Sequence, residues 1–386
     1  MVIGIPTEIL PEERRVAAIP DMVRRYRQQG FDVIVQAGAG AGIFKTDQDY
    51  EEAGARIRPG AAEIFAEADI VLKVKEPVFN DELQKHEAAL LKPGATLITF
   101  LHPAAPASLP MVEMLRDRNI TAFTMDGIPR ISRAQQMDAL TSMSSITGYK
   151  SVLIAADHLP KFVPMVGTAI GTIRPSKFLV IGAGVVGLQA IATAKRLGGQ
   201  VSVVDIREDA RREAESVGAK VVGFDVPSDL AVGAGGYAQS LPVDWLEKER
   251  ALIAPLVAQA DAIILSALVP GERAPILVTE EMVGQMKPGS VIIDVSIDQG
   301  GNCAITEAGK VAYREGVCLC GVKNIPGQLP VDASWLYATN ICNYVENLYK
   351  QGAGQPDFED EIVRSTLVTR DGKIHHAGTL KAMGLA

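Results

Sequence analysis

Residues 178–205, FLVIGAGVVGLQAIATAKRLGGQVSVVD, constrain this chain more than any other stretch. The apolar run 178–181 leads into Gly182-Ala183-Gly184-Val185-Val186-Gly187. A helical run follows, and a second β-rich run, 201–204, ends on Asp205, 23 residues beyond Gly182. A GxGxxG alone says little, because glycine is common in turns of every kind. Strand before, helix after, second strand and terminal acid together make a dinucleotide-binding βαβ unit. Gly182 allows the tight turn, Gly184 lets the backbone approach a pyrophosphate, and Gly187 lets helix and strand pack closely. The helix start at Val185 and Val186 offers free N–H groups and partial positive charge to the phosphates. Asp205 accepts from the adenosine ribose hydroxyls and repels a 2′-phosphate, which selects NAD over NADP. Arg207 alone argues nearby for a 2′-phosphate contact; a solvated loop arginine is the plainer reading.

At 386 residues the chain is too long for one ordinary core, so two domains are expected. With 47% hydrophobic and 22% charged residues it is globular rather than disordered. A net charge of -8 argues against a nucleic-acid or anionic-membrane surface. No apolar run reaches membrane-spanning length, the best candidate, 252–270, being broken by Gln259 and Asp261. The chain opens on a strand-like VIGIP without a signal peptide. Cys303, Cys318, Cys320 and Cys342 lack zinc spacing and read as buried reduced thiols, which suits a cytoplasmic enzyme. His86, His158, His375 and His376 have no ligand spacing either, so no metal is expected.

The expected fold class is α/β: two Rossmann-like domains with parallel sheets and a cleft between them. Residues 1–140 and 331–386 form the first domain, and the NAD-binding domain, 141–330, is inserted into it. First-domain strands are expected at 2–6, 32–35, 70–74, 96–100 and 120–123, with a helix opening at Pro20. Residues 137–159 read as one helix carrying Leu140, Met143, Ile146, Tyr149 and Val152 or Leu153 at helical spacing. Pro160, Pro164 and Pro175 punctuate a connection to the second domain. Strands there are expected at 178–181, 201–205, 220–223, 262–266, 291–294 and 318–322. Residues 225–244 form an irregular insert in which Gly233, Gly235 and Gly236 precede Tyr237, a pattern for a mobile loop with an aromatic near its tip. A helix is expected from about 333 to 349, and 357–386 pack back on the first domain. Residues 265–275, with Ala267 and Leu268, follow a strand's carboxyl end, where open α/β sheets bind ligands.

Two constellations carry chemistry. PRISRAQQMD, residues 129–138, gathers Arg130, Arg133, Gln135, Gln136 and Asp138. Gln135 and Asp138, three apart, share a face. With an arginine they suit a nicotinamide carboxamide and its ribose; a helix cap with solvated arginines is the equal alternative. The second set is scattered: Arg15, Lys75, His102 and Asp298. Arginine and lysine suit a small carboxylate, and His102 suits proton transfer during carbonyl or amine redox chemistry. Taken singly, each reads better as a surface cation or a cap.

These residues resemble a family. PRISRAQQMDALTS, GAGVVG with Asp205, GGYA with Tyr237, APILVTEEMV, MKPGSVIID and GGNC are together similar to the NAD(H)-binding first domain of the proton-translocating NAD(P) transhydrogenase alpha subunit. The resemblance runs over nearly the whole chain. It implies nicotinamide contacts and catalytic roles for Arg130, Gln135 and Asp138, and a further contact at Thr141, where the family often has serine. It implies direct hydride transfer between NAD(H) here and NADP(H) on a partner domain. It also implies a homodimer, membrane-spanning partner subunits, and a cytoplasmic place at the inner membrane face. The sister family is alanine dehydrogenase, and VSIDQGG reads more like it. That likeness implies substrate roles for Arg15 and Lys75 and catalytic roles for His102 and Asp298, in an NAD-dependent amino-acid oxidoreductase.

Overall fold

Runs of valine and isoleucine, ended by glycine turns, build two α/β units in the computed structural model. It describes residues 1–386 apart from 234, 235, 237, 270, 271, 351–353, 355 and 386. Unit 1 comprises Met1–Met143 with Pro326–Ala386, and unit 2 is Ser144–Ile325.

The sheet of unit 1 runs Lys373–Ile374, Leu367–Arg370, Thr121–Thr124, Thr96–Thr99, Ile70–Leu72, Val2–Ile5, Asp32–Gln36, Arg56–Arg58. The last six are parallel, and Leu367–Arg370 joins antiparallel to Thr121–Thr124. Its central strands are buried, as parallel strands covered on both faces must be. The helix Pro20–Gln28 starts at its proline and turns Met22, Val23 and Tyr26 inward. The expected strands 70–74 and 96–100 stop sooner, at Leu72 and Thr99. Beyond Leu72 the chain sinks Lys73 between Glu8 and Glu87, and beyond Thr99 it heads for a left-handed turn at His102, φ 45°.

A 3-10 turn, Ser132–Met137, precedes the helix Ala139–His158, and the division between units falls within that helix. Leu140 and Tyr149, expected on its apolar stripe, are exposed, whereas Val152 and Ala155 are buried. Met143, Ile146 and Val152 are buried as the spacing predicts, so the stripe is right at three positions and wrong at Leu140 and Tyr149. The long helix near the C-terminus begins at Pro330, its N1 proline, and ends at Leu348.

The sheet of unit 2 runs Lys220–Val221, Gln200–Val204, Lys177–Ile181, Ala262–Leu265, Val291–Asp294, Val317–Cys320, Val311–Arg314, parallel except for the last. In chain order its parallel strands lie 3-2-1-4-5-6, the doubly wound dinucleotide arrangement. Two connecting segments hold short elements beyond those expected from the sequence. The proline-marked connection holds an antiparallel hairpin, Val166–Thr168 with Gly171–Ile173. The insert holds a short helix, Ser228–Ala231, before the helix Val243–Gln259. Neither the hairpin's three-residue strands nor the four-residue helix is long enough to show a period.

Candidate functional site

In unit 2, Ile181 pairs with Val204 on one side and Leu265 on the other, so three strands end level. Gly182, Asp205 and Ser266, the residues after those ends, therefore lie side by side. Gly182 has φ 92°, and a Cβ on it would stand 2.8 Å from the Ala267 nitrogen. Gly187 is tighter still: its Cβ would sit 1.9 Å from the Gly182 carbonyl oxygen, so only glycine lets helix Val185–Arg196 approach the turn. Gly184 is different. A Cβ there would meet nothing within 4 Å, and no side chain caps the helix that it precedes. The backbone thus leaves open space where a pyrophosphate needs close approach, and helix N–H groups at Val185 and Val186 face the same end. These residues fit a dinucleotide.

Asp205 is buried, and its carboxylate is already held. The Ala183 N–H donates to Oδ2 at 2.7 Å and the Arg207 N–H to Oδ1 at 2.8 Å. The Arg207 guanidinium grips both oxygens, Nε to Oδ1 at 3.1 Å and Nη2 to Oδ2 at 3.0 Å. The plain reading of Arg207 as a solvated loop arginine is therefore wrong: its side chain is 17% exposed and ion-paired. Ala267 and Leu268 are half-buried on the loop after Leu265. Tyr237, the expected loop aromatic, lies outside the described residues.

In unit 1, residues 132–137 coil as a 3-10 turn that leaves Arg130 just ahead of it and Gln135 within it exposed. Asn340 and Asn343 both donate to the Gln136 carbonyl, at 2.9 and 3.1 Å, which anchors the turn on helix Pro330–Leu348. Asp138 accepts the Thr141 N–H at 2.8 Å and the Thr141 hydroxyl at 2.6 Å, the bonds of a helix cap. Arg133 is not a free cation, because Asp360 and Glu361 bind it at 3.0 and 3.3 Å.

Three of the four scattered residues, Arg15, Lys75 and His102, belong to unit 1, and Asp298 belongs to unit 2. Arg15 is no surface cation: it is 3% exposed and grips Glu13 through Nε at 2.8 Å and Nη2 at 2.5 Å. Lys75 is half-buried at the strand end. His102 Nδ1 lies 2.9 Å from Asp126 Oδ1, and its ring stacks on Phe100. Asp126 in turn accepts the Thr124 hydroxyl at 2.6 Å and the His102 N–H at 2.8 Å. Desolvation works against protonating the imidazole, but the Asp126 carboxylate outweighs it and lifts His102 above its ordinary range. Asp298 is exposed, 3.7 Å from Lys323.

Residues 4–147 match the family described as alanine dehydrogenase/PNT, N-terminal domain, and residues 151–377 its C-terminal domain. The chain belongs to the alanine dehydrogenase/PNT family. It is 43% identical over 379 residues to a Rhodospirillum rubrum protein named as the first part of NAD(P) transhydrogenase subunit alpha, covering 97% of this chain and 98% of that one. Among solved structures it is similar to the transhydrogenase from Sinorhizobium meliloti, with TM-score 0.83, 37% identity and coverage of 98% and 99%. It is also similar to an L-alanine dehydrogenase, with TM-score 0.82, 30% identity and full coverage of both chains.

For this alanine dehydrogenase/PNT member, sequence reasoning missed three supporting residues. Asn302, in the GGNC stretch, donates to the carbonyls of Ala267 and Pro275, both at 2.8 Å, and accepts the Ala267 N–H at 3.1 Å. Glu249, 5% exposed on helix Val243–Gln259, is pushed up to about 7, first by burial and then by the Asp205 carboxylate. An acid at position 249 in an otherwise apolar helical face was the one available signal. Asp126 carries no motif at all. A buried ion triad, Lys73 with Glu8 at 3.2 Å and Glu87 at 3.1 Å, fixes the strand end from which Lys75 projects.

Proposed function

We propose that this chain is the NAD(H)-binding component of a proton-translocating NAD(P) transhydrogenase, an oxidoreductase acting by direct hydride transfer. The observation that carries the reading is the anchored 129–138 turn, which leaves Arg130 and Gln135 exposed for a ligand in a chain that also owns a dinucleotide turn. The likeness to transhydrogenase subunits along the whole chain supports it. NAD(H), when bound, supplies or accepts the hydride at its nicotinamide ring. Gly182, Gly184, Gly187 and the N–H groups of Val185 and Val186 hold the pyrophosphate, and Asp205 holds the adenosine ribose. Ala267 and Leu268 line the nicotinamide half. Arg130 and Asp138 orient the carboxamide and ribose, Thr141 sets the Asp138 carboxylate, and Gln135 stands where a second, partner-bound NADP(H) arrives. Positioning and water exclusion do this work, and no proton need be moved.

Among the described residues no helix is long and apolar enough to cross a membrane. We assign the proton pathway to membrane-spanning partner subunits, with this chain peripheral at the cytoplasmic face. NADH should bind to the purified chain, with turnover appearing only once an NADPH-binding partner domain is added. Gln135→Asn should leave NADH affinity nearly unchanged and lower partner-dependent transfer about tenfold or more, since small misplacements of reacting atoms cost that much. Equal transfer by the variant would remove Gln135 from this role.

We assign a homodimer as well. The Val166–Thr168 and Gly171–Ile173 hairpin supports it by presenting Phe162, Met165, Ile170 and Ile173 to solvent, Ile170 at 98% exposure. Such a cluster suits burial against a second copy. Ile170→Lys combined with Ile173→Lys should sediment as a monomer, with its circular dichroism unchanged and a melting temperature that no longer rises with protein concentration. A dimer that survives both lysines places its interface elsewhere.

One observation favours a second reading, an alanine dehydrogenase-like amino-acid oxidoreductase. The Asp126–His102 pair is a held acid–base group, which hydride exchange between two nicotinamides does not use. Efficient reduction of pyruvate with ammonia and NADH, without partner, would favour this second reading over the first.

A further inference from the structure

A carboxylate has about four lone-pair sites. Asp205 fills all four: the Ala183 N–H, the Arg207 N–H, and the two guanidinium donors of Arg207. A ribose diol brings two more O–H donors, so two of those present must leave. The backbone donors are fixed. Ala183 belongs to the glycine turn packed against Ser266 and Ala267, and Arg211 pins the other side by donating to the carbonyls of Asp205, Ile206 and Phe224 at 3.0, 3.1 and 2.9 Å. Only the guanidinium can go. Of the four donors only the guanidinium pair is carried by a side chain, which can turn about its own torsions without moving the backbone at the start of helix Glu208–Ser216.

We propose that Arg207 is an internal competitor for the adenosine ribose, a latch on Asp205 that sets both the affinity for NAD(H) and its margin over NADP(H). The inference rests on the nucleotide reading of unit 2. Closed, the guanidinium satisfies a buried carboxylate that would otherwise stand uncompensated. Opened by a ribose diol, it is left beside the 2′ position, where its charge and fork geometry suit a phosphate. One side chain therefore lowers affinity for the dinucleotide with a free 2′-hydroxyl and softens rejection of the phosphorylated one. Charge alone does not produce both effects; the two-point grip does.

NADH and NADPH are to be titrated separately into the full chain by nucleotide fluorescence, comparing the unaltered protein with Arg207→Met and Arg207→Lys. Circular dichroism and melting temperature establish that each variant is folded. Arg207→Met should bind NADH about fivefold more tightly, the equivalent of one partly exposed ion pair no longer broken, and NADPH more weakly. Lysine cannot grip both oxygens in the same fork. Arg207→Lys should thus also gain NADH affinity while keeping NADPH binding close to that of the unaltered chain. NADH affinity that stays equal or falls in both variants overturns the latch and leaves the nucleotide site standing. Failure of the unaltered chain to bind NADH at all overturns the nucleotide reading and the latch with it.

Discussion

Glu249→Gln should stabilise the protein at pH 8 by roughly 3 kcal/mol and flatten its stability profile between about pH 4.5 and 7. Burial, and then the Asp205 carboxylate, push the Glu249 carboxyl from 4.5 up to about 7. Each tenfold gain in proton affinity is worth about 1.4 kcal/mol of preference for the neutral form. The sign follows from proton counting. Between the two values the folded chain keeps the proton that the unfolded chain has lost, so stability falls as pH rises through that window and then levels off. Glutamine carries a neutral amide of nearly the same shape as the protonated carboxyl, so it retains at pH 8 what the native residue has only in acid. For a unit of this size that corresponds to a melting-temperature gain of roughly 5–10 °C. Thermal melts of both proteins from pH 5 to 8 check it. Curves that run parallel across the range would show that Glu249 does not titrate there.

Glu249 also shows where sequence reading stops. The dinucleotide turn was legible because three glycines, a following helix and Asp205 lie within one continuous stretch, and sterics there admit little else: a Cβ at Gly187 would stand 1.9 Å from a carbonyl oxygen. The parallel strands were legible from apolar runs, within a residue or two at their ends, except the edge strand Arg56–Arg58, whose two arginines leave no apolar run to read. What was not legible depends on contacts distant in sequence. The acid at Glu249 meets the acid at Asp205 only because a helix much further along the chain packs beside that strand end. Asp126 becomes the partner of His102 only because Thr121–Thr124 lies next to Thr96–Thr99. Arg207 looked solvated because residue type favours solvent for arginine, whereas the tight turn after Val204 folds it back onto the carboxylate two residues before it. Composition predicts the average fate of a residue, and the site is assembled from exceptions to it.

Asn302→Ala should act in the opposite direction, costing on the order of 3–5 kcal/mol of stability and raising the NADH dissociation constant about tenfold or more. Asn302 is fully buried, and its side chain makes four hydrogen bonds. Two hold the Ala267 and Pro275 carbonyls, one takes the Ala267 N–H, and one takes the Ser296 hydroxyl at 2.7 Å. Alanine leaves all four partners without this side chain in a site too enclosed for easy hydration, and each such group costs about 1 kcal/mol or more. The backbone of residue 302 stays put, since its own N–H is received by both oxygens of Asp294 at 3.1 and 3.0 Å, and the Cys303 N–H joins them at 3.0 Å. The damage is therefore directed at the loop from Ala267 to Pro275, which is tied to residue 302 at both ends. That loop carries Ala267 and Leu268, so loosening it scatters the contacts proposed for the nicotinamide half while leaving the pyrophosphate turn intact. Amide hydrogen exchange separates the two regions: protection at Ala267 should collapse in Asn302→Ala while the Ala183 amide, held by Asp205, keeps its own. Asn302→Asp sharpens the test, because it preserves shape and acceptors but replaces the two donors with a carboxylate oxygen facing two carbonyls; it should be at least as harmful as alanine. Unaltered protection at Ala267 in either variant would show that the loop is held by other means and that Asn302 has no part in positioning it.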